Sequence, residues 1–526
     1  MRIAIGADHA GVELKAFLID RLTQDGHQVL DAGANGQQSV DYPDFALKVA
    51  VAVLRGKAER GIMLGGSGQG EAIAPNKIPG IRAAVCHETY SARMSREHND
   101  ANVLAMGSRV VGQELAWDVV HTWLITPFSG DERHVKRLAK VHALEQKGRF
   151  PLIELDTLGQ SIWYDNIHRG MLLNGEFRAL VRQGVLGVTS NPSIFEKAIG
   201  SGGVYDADLL RLTASGAHAE AVAEALMVAD IQEACDQLAP IYQLTGGRDG
   251  FVSLELPPAL SHDAPGSYAK ATGLHAKVNR PNLMIKVPGT PAGTQAFGEL
   301  ITAGIPVNVT LLFSVDAYEA VAHAYVAAIE RRAHAGEPLD VPSVASFFVS
   351  RIDTLADSLI EVRLQDETDP ARHTALQALL GEVAIANAKV AAQRAAAIYG
   401  DSRWQALAAQ GAQPQRLLWA STSAKNPAYR DVVYVEELIG PDTVNTLPDA
   451  TLKAYIDHGF ARLSLAEDEA AAAATIASLA TLGIDYAALT EKLLVDGVKQ
   501  FADAYDAMVR SIATKQQELQ PAATGR

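Results

Sequence analysis

The chain has 526 residues, 46 basic and 61 acidic side chains for a net charge of −15, 48% hydrophobic residues and two cysteines. That length suggests roughly two or three domains, and the apolar content supports packed cores rather than a disordered chain. Residues 1–150 hold 18 basic and 17 acidic side chains, leaving 28 and 44 for the remainder; no basic stripe exists to hold nucleic acid or an anionic membrane, and Cys86 and Cys235 are too few for a disulfide framework or a thiolate zinc site.

No apolar run reaches the ~18 residues of a bilayer span, and Asp8 interrupts the N-terminus before a signal-peptide core could form, so a cytoplasmic protein is expected. Strand-like apolar runs at 2–7, 27–30, 61–64, 82–86 and 103–106 are each followed by Gly, Asp or Ser and then by a helical pattern. Five such units predict a doubly wound, Rossmann-like parallel α/β sheet, with ligands beyond the carboxyl ends of its strands. The segments facing that edge are Asp8-His9, the loop 65–71, His87 and the turn 107–109. A charged helix over 131–147 closes a domain at 1–148, and 149–151 form a short linker stiffened by Pro151.

Eight further strand candidates follow, at 161–167, 185–189, 251–256, 283–287, 306–312, 344–349, 417–421 and, more weakly, 444–447. Separated by Ala-rich helices, they predict a (β/α)₈ TIM barrel over 152–526. The Ala-rich run 469–480 is scaffold, and 516–526 is a polar tail.

In the first unit, Gly65, Gly66, Gly68 and Gly70 permit a tight loop whose amides can face an anion, although a structural βα turn would use the same residues. Arg133 and Arg137, four apart on one helix face, could hold a phosphate or simply be solvated. Together with Gly6-Ala7-Asp8-His9-Ala10-Gly11, Asp41-Tyr42-Pro43, Asn76-Lys77, Arg96-Glu97-His98-Asn99, Gly107-Ser108-Arg109 and Arg133-His134, this segment resembles the ribose-5-phosphate isomerase B family over residues 1–148. The resemblance implies interconversion of ribose 5-phosphate and ribulose 5-phosphate through an enediolate, with no metal and no cofactor. It makes Glu71 the base at C2, and His98 with Asp8 the groups that open the ring. Ser67, Asn99 and the amides of Gly66, Gly68 and Gly70 would stabilise the enediolate, while His9, Arg109, Arg133 and Arg137 would bind phosphate. Some members carry a Cys base at the first loop position; Gly65 stands there in this chain, so the role passes to Glu71, a carboxylate that burial can tune. Cys86 reads as a small buried hydrophobe. Family sites are completed by a second subunit, which implies a homodimer or larger assembly through this domain.

In the second unit, Lys286 interrupts the apolar strand 283–288. Burial favours its neutral amine, a nucleophile able to form a Schiff base with a ketone, and the competing reading is a lysine snorkelling at a strand end. Other strands end in Asp165, Thr189 with Asn191, Glu255, Asn308 with Thr310, Ser346 and Phe348 with Arg351, and Ser421 with Lys425. One inward polar group per strand is the pattern of a barrel active site. The segments Thr189-Ser190-Asn191-Pro192-Ser193, Leu283-Met284-Ile285-Lys286-Val287-Pro288, Asn308-Val309-Thr310 and Trp419-Ala420-Ser421-Thr422 resemble transaldolase. The resemblance implies transfer of dihydroxyacetone from sedoheptulose 7-phosphate to glyceraldehyde 3-phosphate. Lys286 would form the imine, Glu255 would move protons through a water held with Thr310, and Asp165 would take the C4 hydroxyl proton. Asn191 and Asn308 would hold the three-carbon unit beside Thr189, Ser346 and Phe348; Arg351, Ser421 and Lys425 would bind phosphate, the lysine without a bidentate fork. The partners implied are small phosphorylated sugars. The alternative reading of the sequence is a silent sugar-phosphate sensor or dimerisation module fused to an aldolase that releases free dihydroxyacetone.

Overall fold

A computed structural model describes residues 1–146, 150–200 and 203–519. Lys147 of the expected charged helix, Arg149 of the expected linker and the end of the polar tail lie outside these. The chain divides into two compact units: the first runs from Met1 to the linker and includes Pro427–Val433 and Asp457–Phe460, and the second holds the rest from Phe150 onward.

The first unit is built on β1 (Arg2–Ala7), β2 (Gln28–Asp31), β3 (Arg60–Gly65), β4 (Ala83–Val85) and β5 (Val103–Gly107). All pair in parallel in the order β2-β1-β3-β5-β4. Alternation along β1 sends Ile3 and Ile5 to one face, against Leu14, Leu18 and Leu22 of the helix Val12–Gln24 and Trp123 of the helix Gln113–Ile125. Ala4 goes to the other face, against Ala46, Val49 and Ala50 of the helix Tyr42–Leu54. Helices on both faces make the sheet doubly wound, and β2 and β3 leave β1 on opposite sides, so the topological switch point lies between β1 and β3.

The second unit contains β6 (Gln160–Tyr164), β7 (Gly187–Thr189), β8 (Val252–Glu255), β9 (Leu283–Pro288), β10 (Val307–Leu312), β11 (Ser343–Phe348), β12 (Arg416–Ala420) and β13 (Thr443–Leu447), closed into a parallel barrel. The weakest sequence candidate, β13, is the closing strand, paired to both β12 and β6. β7 begins later than expected, at Gly187, where a Cβ would lie 2.6 Å from the Trp163 ring. Pro151 opens the helix Pro151–Thr157 rather than ending a linker, since proline suits the first helical position. In register, Glu255 faces Lys286 and Lys286 faces Asn308, so three adjacent strands place these side chains at one level. At the amino ends, buried Arg416 bonds Asp249 at 3.2 Å and Ser161 at 2.5 Å, satisfying its charge and leaving the chemistry to the carboxyl ends. The long helix Tyr486–Leu519 reaches the carboxyl end of β10, where Gly497 packs on Leu311. Among the described residues no single helix is long and apolar enough to cross a membrane.

Candidate active sites

The first site forms at the switch point. Asp8 follows β1, Glu71 lies in the first turn of the helix Gln69–Ile73 after β3, and Ser108-Arg109 follow β5. Asp8 Oδ1 accepts from the amides of Ala10 at 2.8 Å and Gly11 at 3.1 Å, so its own turn fixes the carboxylate. Glu71 is 4% exposed. Burial pushes its carboxyl above the ordinary range and the Asp8 charge adds to this, against the amides of Glu71 and Gly68.

The glycines of this loop are dictated by close approaches. A Cβ at position 65 would lie 1.8 Å from Glu71 Oε1, so any side chain there, a cysteine included, competes with this carboxylate for one space. Gly68 holds φ +79°, and a Cβ on Gly107 would sit 2.6 Å from the Ser67 backbone. Ser108 ties the loops together, its amide donating to Gly65 at 2.7 Å and its hydroxyl to Ala10 at 2.7 Å, while the Arg109 amide donates to Gly66 at 3.2 Å. His87 Nε2 accepts from the Gly107 amide at 3.0 Å, standing where a strand carbonyl would otherwise be.

His98 and Asn99 end the helix Thr89–Asn99, and Arg133 and Arg137 lie on the helix Glu132–Gln146. The rings of His98 and His134 meet at a tilt with centroids 4.3 Å apart, and His134 Nδ1 lies 2.8 Å from Ser129 Oγ. Burial lowers the His134 pKa, with Arg133 and His98 adding to it. Asn99, Arg109, Arg133 and Arg137 are exposed, whereas the Nδ1 of His9 is buried with no hydrogen-bond partner among the described residues. Asp8 and Glu71 thus gather with the loops of Ser67 and Arg109, and His98 gathers with His134 beside Arg133. Arg96, flanking that group in sequence, is buried on Asp100 at 2.7 Å and serves the helix end. Cys86 is buried, and burial raises its thiol pKa.

In the barrel, Lys286 is 6% exposed, its Nζ 3.3 Å from the Ser190 carbonyl and 3.7 Å from Glu255 Oε2. Burial pushes the Glu255 carboxyl up to about 7, Lys286 opposing and Asp165 adding. Glu255 Oε2 and Thr310 Oγ1 are buried without hydrogen-bond partners among the described residues. Thr189 Oγ1 donates to Asp165 at 2.9 Å and lies 2.8 Å from Thr446 Oγ1. Asn308 donates to Ser253 Oγ at 3.0 Å and accepts from Ser346 Oγ at 2.7 Å, which fixes its amide. Asn191 accepts from the Ile194 amide at 3.1 Å, capping the next helix, and lines an open cleft with Asp165.

Arg351 lies in the first turn of the helix Ser350–Asp366, with its guanidinium 5.3 Å from the Phe348 ring centre and Nη1 donating to Gln500 at 2.9 Å. Burial lowers the Arg351 pKa, and burial followed by the Arg351 charge lowers that of Lys425; Asp165 opposes both. Arg351, Lys425 and Asp165 therefore share one electrostatic neighbourhood. Ser421 sits at φ +56° with its Oγ 3.1 Å from Ser350 Oγ. Gln500, Phe501 (ring centre 5.7 Å from Lys286 Nζ) and Thr446 carry no functional signal in the sequence. The first two belong to an amphipathic helix with no motif, and Thr446 to the weakest strand pattern. Among the described residues no group of three or more His, Cys, Asp or Glu is placed to hold a metal ion.

The family model described as transaldolase/fructose-6-phosphate aldolase matches residues 162–512, and that described as ribose/galactose isomerase matches residues 3–141. A transaldolase of Trichodesmium erythraeum is 44% identical over 374 residues, 70% of this chain and 98% of that protein. One from Thiobacillus denitrificans is 45% identical over 364 residues, 68% and 98% of the two chains. A solved ribose-5-phosphate isomerase B of Clostridium thermocellum is 55% identical, covering 28% of this chain and all of that one, with a TM-score of 0.28. The chain therefore belongs to the transaldolase/fructose-6-phosphate aldolase family and carries, ahead of its barrel, a domain of the ribose-5-phosphate isomerase B family.

Proposed function

We propose that the chain is bifunctional: it isomerises ribose 5-phosphate and ribulose 5-phosphate in its first unit and transfers dihydroxyacetone from sedoheptulose 7-phosphate to glyceraldehyde 3-phosphate in its barrel. The observation that carries the barrel reading is Lys286 Nζ at 3.7 Å from a carboxyl raised to about 7, inside a closed barrel. The amine adds to the ketose carbonyl; Glu255, through a water held with Thr310, supplies the proton with which the carbinolamine oxygen leaves as water. Asp165 takes the C4 hydroxyl proton as the C3–C4 bond breaks, its electrons passing into the enamine on Lys286. Asn308 and Asn191 hold that three-carbon unit until an aldose accepts it, and Arg351 with Lys425 and Ser421 receives the phosphate. In the first unit Glu71 carries the proton between C2 and C1. Its site, with His98, Asn99, Arg133 and Arg137, is completed in a dimer by residues of a second subunit.

Borohydride reduction in the presence of fructose 6-phosphate should leave a three-carbon adduct on Lys286 and abolish transfer while isomerisation continues. An adduct on Lys270 or Lys425 overturns the assignment. Lys286→Arg should fold but not transfer, since it keeps charge without a usable amine. Product assayed with and without an aldose acceptor separates transfer from release of free dihydroxyacetone.

A further inference from the structure

Among the barrel's arginines, Arg169 is held by Asp208 and Asp230, Arg403 by Glu330, Arg416 by Asp249 and Arg462 by Glu437, while Arg331 and Arg332 are held by backbone carbonyls and the Thr302 hydroxyl. Arg351 is instead held by the neutral amide of Gln500, at 2.9 Å, and by the face of Phe348. The acids flanking Gln500 on its helix are paired with lysines of that helix, Asp496 with Lys492 at 2.8 Å and Asp503 with Lys499 at 2.7 Å. An amide oxygen accepts from a guanidinium and fixes its direction without cancelling its charge, whereas a carboxylate would do both. The next residue, Phe501, lies over Lys286, so one turn of this helix addresses both the charge that meets the substrate's far end and the amine that meets its carbonyl.

We propose that Gln500 is a positioning residue that reserves Arg351 for a phosphate and so sets the barrel's preference for phosphorylated sugars; this rests on the transaldolase reading above. Gln500→Glu, which offers Arg351 an anion in place of the amide, should raise KM for fructose 6-phosphate and Ki for inorganic phosphate by about tenfold, the scale of a charged hydrogen bond. Gln500→Leu, which loosens Arg351 but spares its charge, should raise both much less. Borohydride trapping of dihydroxyacetone on Lys286, which involves no phosphate, should proceed at an undiminished rate in both variants. The proposal is overturned if the glutamate variant keeps its KM and Ki, if the leucine variant loses as much as the glutamate variant, or if trapping slows in parallel. Failure of the unaltered protein to form any adduct overturns the transaldolase reading itself, and this proposal with it.

Discussion

Gly65 and Glu71 occupy each other's space: a Cβ at 65 would stand 1.8 Å from Glu71 Oε1. Gly65→Ala should therefore displace the base and lower isomerase turnover by at least the ~10²-fold of a lost general base, as should Glu71→Gln, with transaldolase activity retained. Cys86→Ser should cost little. Isomerase assays on the three variants decide this, and an active Glu71→Gln would remove Glu71 from its role. The carboxyl of Glu255 makes a different kind of prediction. Folded, it holds its proton up to about 7, whereas in the unfolded chain it releases it in the ordinary glutamate range. Between those limits the unfolded state binds fewer protons, so this group's cost is absent below the window, grows as pH rises through it and is complete above about 7. Buried Asp353, also pushed up to about 7 by burial and then by Asp357, acts with the same sign. Glu255→Gln should thus reduce, without abolishing, the fall in the barrel's thermal midpoint between about pH 5 and about pH 8, measured by calorimetry.

The helix Tyr486–Leu519 is the element whose role propensity misjudges. A glycine in mid-helix costs about 1 kcal/mol relative to alanine, so replacing Gly497 should stabilise an isolated helix. In place, a Cβ there would lie 2.9 Å from Leu311 Cδ2, at the carboxyl end of β10, and Gln500 and Phe501 follow one turn later. Gly497→Leu should push that turn away from Arg351 and Lys286 and lower transaldolase turnover about tenfold, the sensitivity of catalysis to small misplacements, with isomerase activity intact. Unchanged transfer in that variant would mean that the helix is not needed at the site. The strands, by contrast, follow their sequence patterns closely, because a buried parallel strand is a continuous apolar run bounded by turn residues.

For the whole molecule, the charge partition separates a near-neutral first unit, with 18 basic and 17 acidic residues, from a barrel portion with 28 and 44. Like charge opposes barrel–barrel association, so assembly is expected through the isomerase units. Cleavage within the linker should leave both halves active, since the site residues of each activity all lie on one side of it. Light scattering on the separate halves should find the residue 1–148 fragment dimeric; a dimeric barrel beside a monomeric, inactive isomerase fragment would reverse this assignment.

The sequence by itself determined the two fold classes, since alternating apolar runs and helical periods specify parallel α/β layers before any contact is known. Lys286 was also legible there, as a charge in an apolar strand, and the loop 65–71 as glycines ahead of an acid. Tertiary structure alone decided which groups share a neighbourhood. The raised carboxyl of Glu255 depends on burial inside the closed barrel, with Lys286 opposing and Asp165 adding from distant parts of the chain, the choice of Gly65 depends on where the Glu71 side chain folds back, and Gln500 reaches Arg351 across 149 positions of chain. Such pairings depend on distance in space, which local periodicity does not encode.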